Sequence, residues 1–347
     1  MNNTRTKTII YTLLHFLVDL TTIYVISGVI LGPEVGVVHR GAIIIVYNLV
    51  AFAGQLPIGV LADVIKKNAL FVTLGCLLAG LSYPIACFFP WVSCVTAAIG
   101  NGLFHIGAGA DVLKMTTPKA GSAGLFVSSG ALGVWFAYKL NGGAVLYILP
   151  AIMLACAVVS FVLYKTEKCI EKSMSVTFIK PQKISVLAII CFLLTVVIRS
   201  LMGMVMNYSW KSVLALSFAS VVAVVLGKAF GGYIGDKIGC AKTAVVSLSI
   251  SLLLFPFSFE YWQAGVVAIL CFNMTMPLTL TAVADLTDKK YGMAFGLTTF
   301  ALAMGFIPVV FNASRLFSVL FVMVCTAISL ALMMVGYGLV KKLKQGR

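Results

Sequence analysis

Twelve times along this chain, about twenty consecutive residues pass almost without a charge. A stretch of that length, wound as a helix, crosses the ~30 Å hydrocarbon core of a bilayer with its backbone polar groups bonded within the segment. The stretches cover 8–31, 41–62, 69–89, 91–111, 120–140 and 144–164, then 184–206, 212–235, 241–259, 262–284, 292–311 and 316–340. Of the 347 residues 61% are hydrophobic and only 10% charged, against roughly 25% charged in a soluble chain. An aqueous globular fold is excluded. The expected fold class is an all-α membrane protein: twelve transmembrane helices in two six-helix bundles, 1–164 and 184–347, joined by a polar linker at 165–183.

The first apolar run follows Arg5 and Lys7, as a signal peptide would, but it contains Asp19 and lacks a small-residue cleavage site. It is expected to remain as a helix. Nine cysteines form no C-x-x-C, and seven of them fall inside apolar spans, so free buried thiols are expected rather than a disulfide framework or metal site. The net charge of +15 is placed asymmetrically. With the N-terminus in the cytoplasm, 19 of the 25 Lys and Arg lie on that side, four outside (Arg40, Lys139, Lys211, Arg315) and two, Arg199 and Lys228, within spans. That bias predicts both termini in the cytoplasm of a multi-pass plasma-membrane protein, its partners the lipid bilayer and a small solute, without nucleic acid.

The chain repeats itself. "GQLPIGVLADVIKKN" from Gly54 and "GKAFGGYIGDKIGCA" from Gly227 superpose Gly59 on Gly232 and Asp63 on Asp236 at an offset of 173 residues, half the chain. Gly124 and Gly133 fall on Gly296 and Gly305, and Asn101 on Asn273, at 172. Two six-helix halves entering from one side form a parallel repeat, a design that keeps a transport site between its halves near the midplane. Both copies end a second helix of their half. Glycines at 227, 231, 232 and 235 allow close helix approach, and an acid followed by lysines (Asp63 with Lys66 and Lys67, Asp236 with Lys237) can form a charged latch across the turn.

These loops resemble the G-x-L-A-D-R-x-G-R-K signature of the major facilitator superfamily. The first copy keeps Gly59, Leu61, Ala62 and Asp63 but has Val64 for the usual basic residue and Lys66 for the usual glycine; the second keeps Gly232, Asp236, Lys237, Gly239 and Lys242. The resemblance implies a secondary transporter working by alternating access, with these loops latching the cytoplasmic side. It also implies a cavity lined by the first, fourth, seventh and tenth helices. A helix-packing turn with ordinary inside lysines is the plainer reading of the same residues.

A charge at the bilayer centre costs about 2.5–3.5 kcal/mol, so each polar residue within a span needs a reason. Thr12, His15, Asp19 and Thr22 form one stripe on the first helix, with Asp19 roughly 16 Å deep at 1.5 Å per residue. Asn101 and His105 lie one turn apart on the fourth, Arg199 on the seventh, and Asn273, Thr275, Thr279 and Thr281 on the tenth. Tyr24, Asn48, Gln55 and Trp210 complete the residues that could line a cavity. The His15-x-x-x-Asp19 pair and "GNGLFHIGAG" are similar to elements of the fosmidomycin-resistance group of efflux antiporters, with Ile106 and Gly107 where that group has proline and an acid.

Asp19, with His15 and His105, is the candidate for proton coupling, since a buried carboxyl beside an imidazole can exchange a proton near neutral pH. A hydrogen-bonded lock between two helices is the structural alternative. Asp19, His105, Asn101, Arg199, Asn273, Tyr24 and Asn48 are the candidate substrate contacts. Arg199 has three readings: contact to an anionic group, balance for Asp19 across the cavity, or snorkelling to the outer interface. Lys228 is expected to pair internally with Asp236 two turns on rather than to meet substrate, while Asp111, ending the fourth helix near Lys114, and Asp285, ending the tenth near Lys289, are expected to be loop charges rather than ligands. No nucleotide motif and no nucleophile–base arrangement occurs, so a cofactor-free non-enzyme, acting as a monomer and driven by an ion gradient, is expected. A divalent-metal transporter using His15, Asp19 and His105 is the alternative.

Overall fold

The computed structural model describes residues 2–32, 37–140, 142–166, 183–311, 315 and 317–345; most of the expected linker, 167–182, lies outside them. Every regular element among the described residues is a helix. Eleven are long and apolar enough to cross a membrane: α1 (Thr4–Ile30), α2 (His39–Ile65), α3 (Asn68–Ala86), α4 (Pro90–Thr116), α6 (Val145–Val162), α7 (Lys183–Val205), α8 (Leu214–Ile238), α9 (Cys240–Phe259), α10 (Trp262–Leu286), α11 (Tyr291–Val310) and α12 (Val319–Gln345). The shorter apolar helix α5 (Gly121–Ala137) completes twelve. This is a multi-pass integral membrane protein.

The same pairings recur in the first six helices and the last six. Helix α1 packs on α5 as α7 packs on α11, and α3 packs on α4 and α6 as α9 packs on α10 and α12. Across the molecule α2 packs along α11 and α8 along α5. Glycine permits both crossings. A Cβ on Gly59 would lie 2.1 Å from the carbonyl oxygen of Gly292, and one on Gly232 would lie 2.3 Å from that of Ala120. A turn further along, a Cβ on Gly296 would meet the Gln55 carbonyl at 2.7 Å and one on Gly124 the Lys228 carbonyl at 2.5 Å. The two seams are built on equivalent residues of the repeat, backbone against backbone.

The turn after each second helix needs a left-handed residue. Gly239 supplies it at φ 98°, and Lys66, the non-glycine departure in the first copy, is held at φ 56°. Three acids stand differently from the expectation. Helix α4 continues to Thr116, so Asp111 lies within it rather than at its end and faces α1, pairing with Lys7 at 2.9 Å and accepting from the Tyr11 hydroxyl at 3.0 Å. Asp285 faces Lys344 of α12 at 3.5 Å rather than Lys289. Asp236 is taken by backbone groups of α5, which leaves Lys228 without it.

Candidate functional site

Helices α1 and α4 cross with their polar stripes facing. His15 and Asp19 are one turn apart on α1, Asn101 and His105 one turn apart on α4, and the crossing brings all four together. The Nε2 atoms of His15 and His105 are 2.8 Å apart. Asp19 Oδ2 lies 3.2 Å from His15 Nε2, and Oδ1 lies 3.6 Å from His105 Nε2. Asn101 Nδ2 donates to Asp19 Oδ1 at 2.8 Å. Thr22 sits a turn further along α1 and accepts from the Tyr47 hydroxyl of α2 at 3.0 Å.

The outward-facing nitrogens of both imidazoles are also fixed. His15 Nδ1 is 2.7 Å from the Phe126 carbonyl oxygen, and His105 Nδ1 is 2.8 Å from that of Asn101. A carbonyl only accepts, so both Nδ1 atoms carry their hydrogens. Helix α5 closes the site from behind. It is interrupted at Ser129, whose hydroxyl donates to the Thr12 carbonyl at 2.7 Å. The next residue is Gly130, where a Cβ would lie 2.3 Å from Asp19 Oδ2 and 2.4 Å from His15 Nε2. Only a bare backbone fits there. Asp19 keeps 14% of its side chain accessible while the two imidazoles keep 7% and 9%.

Arg199 of α7 is 7% exposed and does not snorkel; among the described residues its Nη1 reaches only the Thr279 hydroxyl of α10, at 3.5 Å. Lys228 of α8 is half-buried, and its side chain forms no hydrogen bond or ion pair among the described residues. Asn273 is buried and donates to the Ile269 carbonyl of its own helix. Tyr24 and Asn48 are not gathered in. Tyr24 is buried in an apolar cluster with Leu20, Ala137 and Leu149, and Asn48 donates to the Ile44 carbonyl one turn back.

At the end that carries both termini, the paired acids do more than close a turn within one half. Asp63 accepts from the backbone N–H of Gly292 and of Met293, each at 2.8 Å, with Lys290 near enough to attract it. Asp236 accepts from the N–H of Ala120 and of Gly121, at 2.6 and 2.9 Å. Each carboxylate therefore caps the first turn of a helix in the other half, where unpaired N–H groups and the helix dipole favour an anion. Lys237 lies over the Tyr233 ring at 4.5 Å instead of joining this contact.

The sequence reading singled out the four central side chains but missed Tyr47, the Phe126 carbonyl and Gly130. Gly130 carries a weak signal, a second glycine three residues before the repeated Gly133. A backbone carbonyl carries none.

No protein-family model and no curated protein matches the chain. Solved structures do. The E. coli fucose:proton symporter FucP superposes with a TM-score of 0.66 at 13% identity, over 95% of this chain and 97% of that one. A FucP structure described as a major facilitator superfamily transporter in the outward conformation gives 0.61 at 16% identity, over 95% and 98%. The fold is that of the major facilitator transporters. A bacterial homologue of the iron transporter ferroportin, in an outward-facing state, has the same fold at a TM-score of 0.62, with 13% identity over 99% of both chains. In major facilitator order, His15, Asp19, Asn101, His105, Arg199 and Asn273 stand on helices one, four, seven and ten.

Proposed function

We propose that this chain is a secondary transporter that works by alternating access and exports a small organic solute in exchange for protons. The contact between the two imidazoles carries the reading. With both Nδ1 atoms protonated, two neutral rings would point bare lone pairs at each other across 2.8 Å. A single proton on one Nε2 turns that contact into a hydrogen bond and the ring into an imidazolium, whose charge the Asp19 carboxylate balances. The cluster is a built-in one-proton store, reached through Asp19.

In this reading the end bearing the termini is cytoplasmic and is held shut by the Asp63 and Asp236 caps, leaving the cluster open to the outside. A proton enters from there. It is held between the two imidazoles with Asp19 balancing its charge, and the halves rock to expose the site inward. No step calls for an enzyme or a cofactor, and one chain contains the whole pathway. The test is Asp19→Asn in proteoliposomes, using solutes that raise the melting temperature of the purified protein. Gradient-driven flux disappears while folding and expression persist; undiminished gradient-driven flux removes Asp19 from the mechanism.

The same three side chains support a second reading, divalent-metal transport. Their donor atoms lie within 4.8 Å of one another. Two neutral imidazoles, each with its Nδ1 steadied by a carbonyl, and a carboxylate are a donor set that suits a transition-metal cation. Metal-dependent thermal stabilisation lost in His105→Ala supports that reading; no shift with any metal ends it.

A further inference from the structure

A proton store open to one side of a membrane must be sealed from the other. Helix α4 runs toward the end bearing the termini: one turn past His105, about 6 Å at 1.5 Å per residue, comes Gly109, and two residues later Asp111 meets Lys7. Gly109 has no side chain, and the space is taken by a ring from the other half. A Cβ on Gly109 would lie 2.4 Å from Cε2 and 2.5 Å from Cδ2 of Phe295, a residue of α11. That ring is 3% exposed and packs on Phe126 of α5, with centroids 6.1 Å apart. Phe126 in turn stands 4.9 Å from the His15 ring and 6.4 Å from Phe104, and its carbonyl is the one that takes His15 Nδ1. Against the two imidazoles lies a buried aromatic layer of Phe104, Phe126 and Phe295, and the last of these belongs to the opposite half.

Phe295 is also tied to the latch. Gly292 and Met293, whose N–H groups Asp63 accepts from, lie just before it on the same helix, so the cap contact and the ring must move together. The repeat shows that the arrangement is particular to this side. Helix α11 packs on α4 as α5 packs on α10, but at the offset of 172 Gly109 falls on Thr281 and Phe295 on Ala123. There the side chain belongs to α10 and donates to the Pro277 carbonyl one turn back, while α5 offers only a methyl group. Bulk is exchanged between the two equivalent positions, and the ring stands on the side that holds the histidines.

We infer that the Phe295 ring is the seal between the cluster of His15, Asp19 and His105 and the end bearing the termini. It is seated on Gly109 and Phe126 while that end is shut, and it is withdrawn with α11 when the halves rock. This rests on the proton-coupled reading and adds the residue that keeps the store from draining through the protein. A single ring can serve, because water and ions find no polar partner in an apolar constriction and leave it.

The experiment is proton leak into proteoliposomes under an imposed pH gradient with no solute added. An entrapped pH dye reads the leak, potassium with valinomycin carries the balancing charge, and the melting temperature of each variant is measured beside it. Phe295→Ala should leak at least about tenfold faster than wild type, because it opens the constriction. Phe295→Leu, which restores most of the apolar bulk, should leak far less. Adding Asp19→Asn to Phe295→Ala should return the leak to the wild-type rate, since the path runs through the cluster.

A folded Phe295→Ala protein that leaks no faster than wild type overturns the inference; a packing role alone would lower the melting temperature and leave the vesicles tight. A leak that Asp19→Asn leaves unchanged overturns it as well, by putting the path elsewhere. If Phe295→Ala does not fold, Gly109→Ala decides in its place, since its Cβ must push the ring out of its seat. Leak is measured without solute, so the two readings fail separately. Solute flux lost in Asp19→Asn with a tight Phe295→Ala overturns the seal only. A leak blocked by Asp19→Asn, with undiminished gradient-driven solute flux in Asp19→Asn, overturns the coupling only.

Discussion

The two halves of this molecule agree at one end and differ in the middle. At the end bearing the termini, Asp63 on Gly292 and Met293 is matched residue for residue by Asp236 on Ala120 and Gly121, and Gly59 is matched by Gly232. In the centre the first half gathers a carboxylate, two imidazoles and an amide within hydrogen-bond reach of one another. The second half presents Arg199 and Lys228 without an acid. At the offset that sets Asn101 on Asn273, His105 falls on Pro277. The repeat keeps one geometry where its halves meet and differs in its centre, with a carboxylate and imidazoles in one half and basic side chains in the other.

The latch comparison breaks first at its glycines. Gly59→Leu and Gly232→Leu should each oppose closure of the seams by about 1–3 kcal/mol, the cost of overpacking, and shift the population roughly 5–150-fold toward the state open at that end. Spin-label distances across α2–α11 and α5–α8 read this out; unchanged distances in either variant would show that the seam is not a contact that must form. The acids come next. Asp63→Asn should cost the closed state about 1 kcal/mol and Asp236→Asn less, because Asp63 is half-buried beside Lys290 whereas Asp236 is exposed. The double variant should be additive to within about 0.5 kcal/mol, the seams sharing no side chain. A larger effect from Asp236→Asn would reverse the asymmetry.

A smaller effect is expected at the paired turns. Lys66 holds at φ 56° the conformation that Gly239 adopts at φ 98°. Lys66→Gly should therefore be neutral or raise thermal stability by up to about 1 kcal/mol, while Gly239→Ala lowers it. The last effect sharpens the cation excess of the second half. In the connection between α7 and α8, Lys211 donates to the Met206 carbonyl at 2.7 Å and lies 5.3 Å from the Tyr208 ring centre. Burial pushes its ammonium down to about 8 from the ordinary 10.5. Between those values the unfolded chain binds the proton and the folded chain does not, so stability rises as pH climbs from about 8 to 10.5. That rise should vanish from the melting curves of Lys211→Met.

Much of this was legible in the sequence because bilayer physics is unforgiving. Twelve apolar runs fixed the helices, and helical spacing placed Asp19, His15, Asn101 and His105 on facing stripes. Spacing within a helix says which residues share a face. It does not say which face of another helix they meet, so Asp111 was read as a loop charge when it faces Lys7 of α1. Tyr24 was read as polar lining when its ring fills an apolar gap. The acids of the repeated loops were visible, but their partners are backbone N–H groups, to which no residue type corresponds. Lys228 was expected to pair along its own helix, and only the packing of α5 on α8 shows Asp236 already taken.

The central claim is a proton shared between two imidazoles whose other nitrogens are tied to carbonyls. The chain has three histidines, so a ¹⁵N spectrum of histidine-labelled protein has three rings to assign, and His39→Gln leaves two. The account predicts protonated Nδ1 on both His15 and His105, with one Nε2 proton between them that is lost in Asp19→Asn. Either ring found as the Nε2–H tautomer with a bare Nδ1, or the shared proton unchanged in Asp19→Asn, would contradict it.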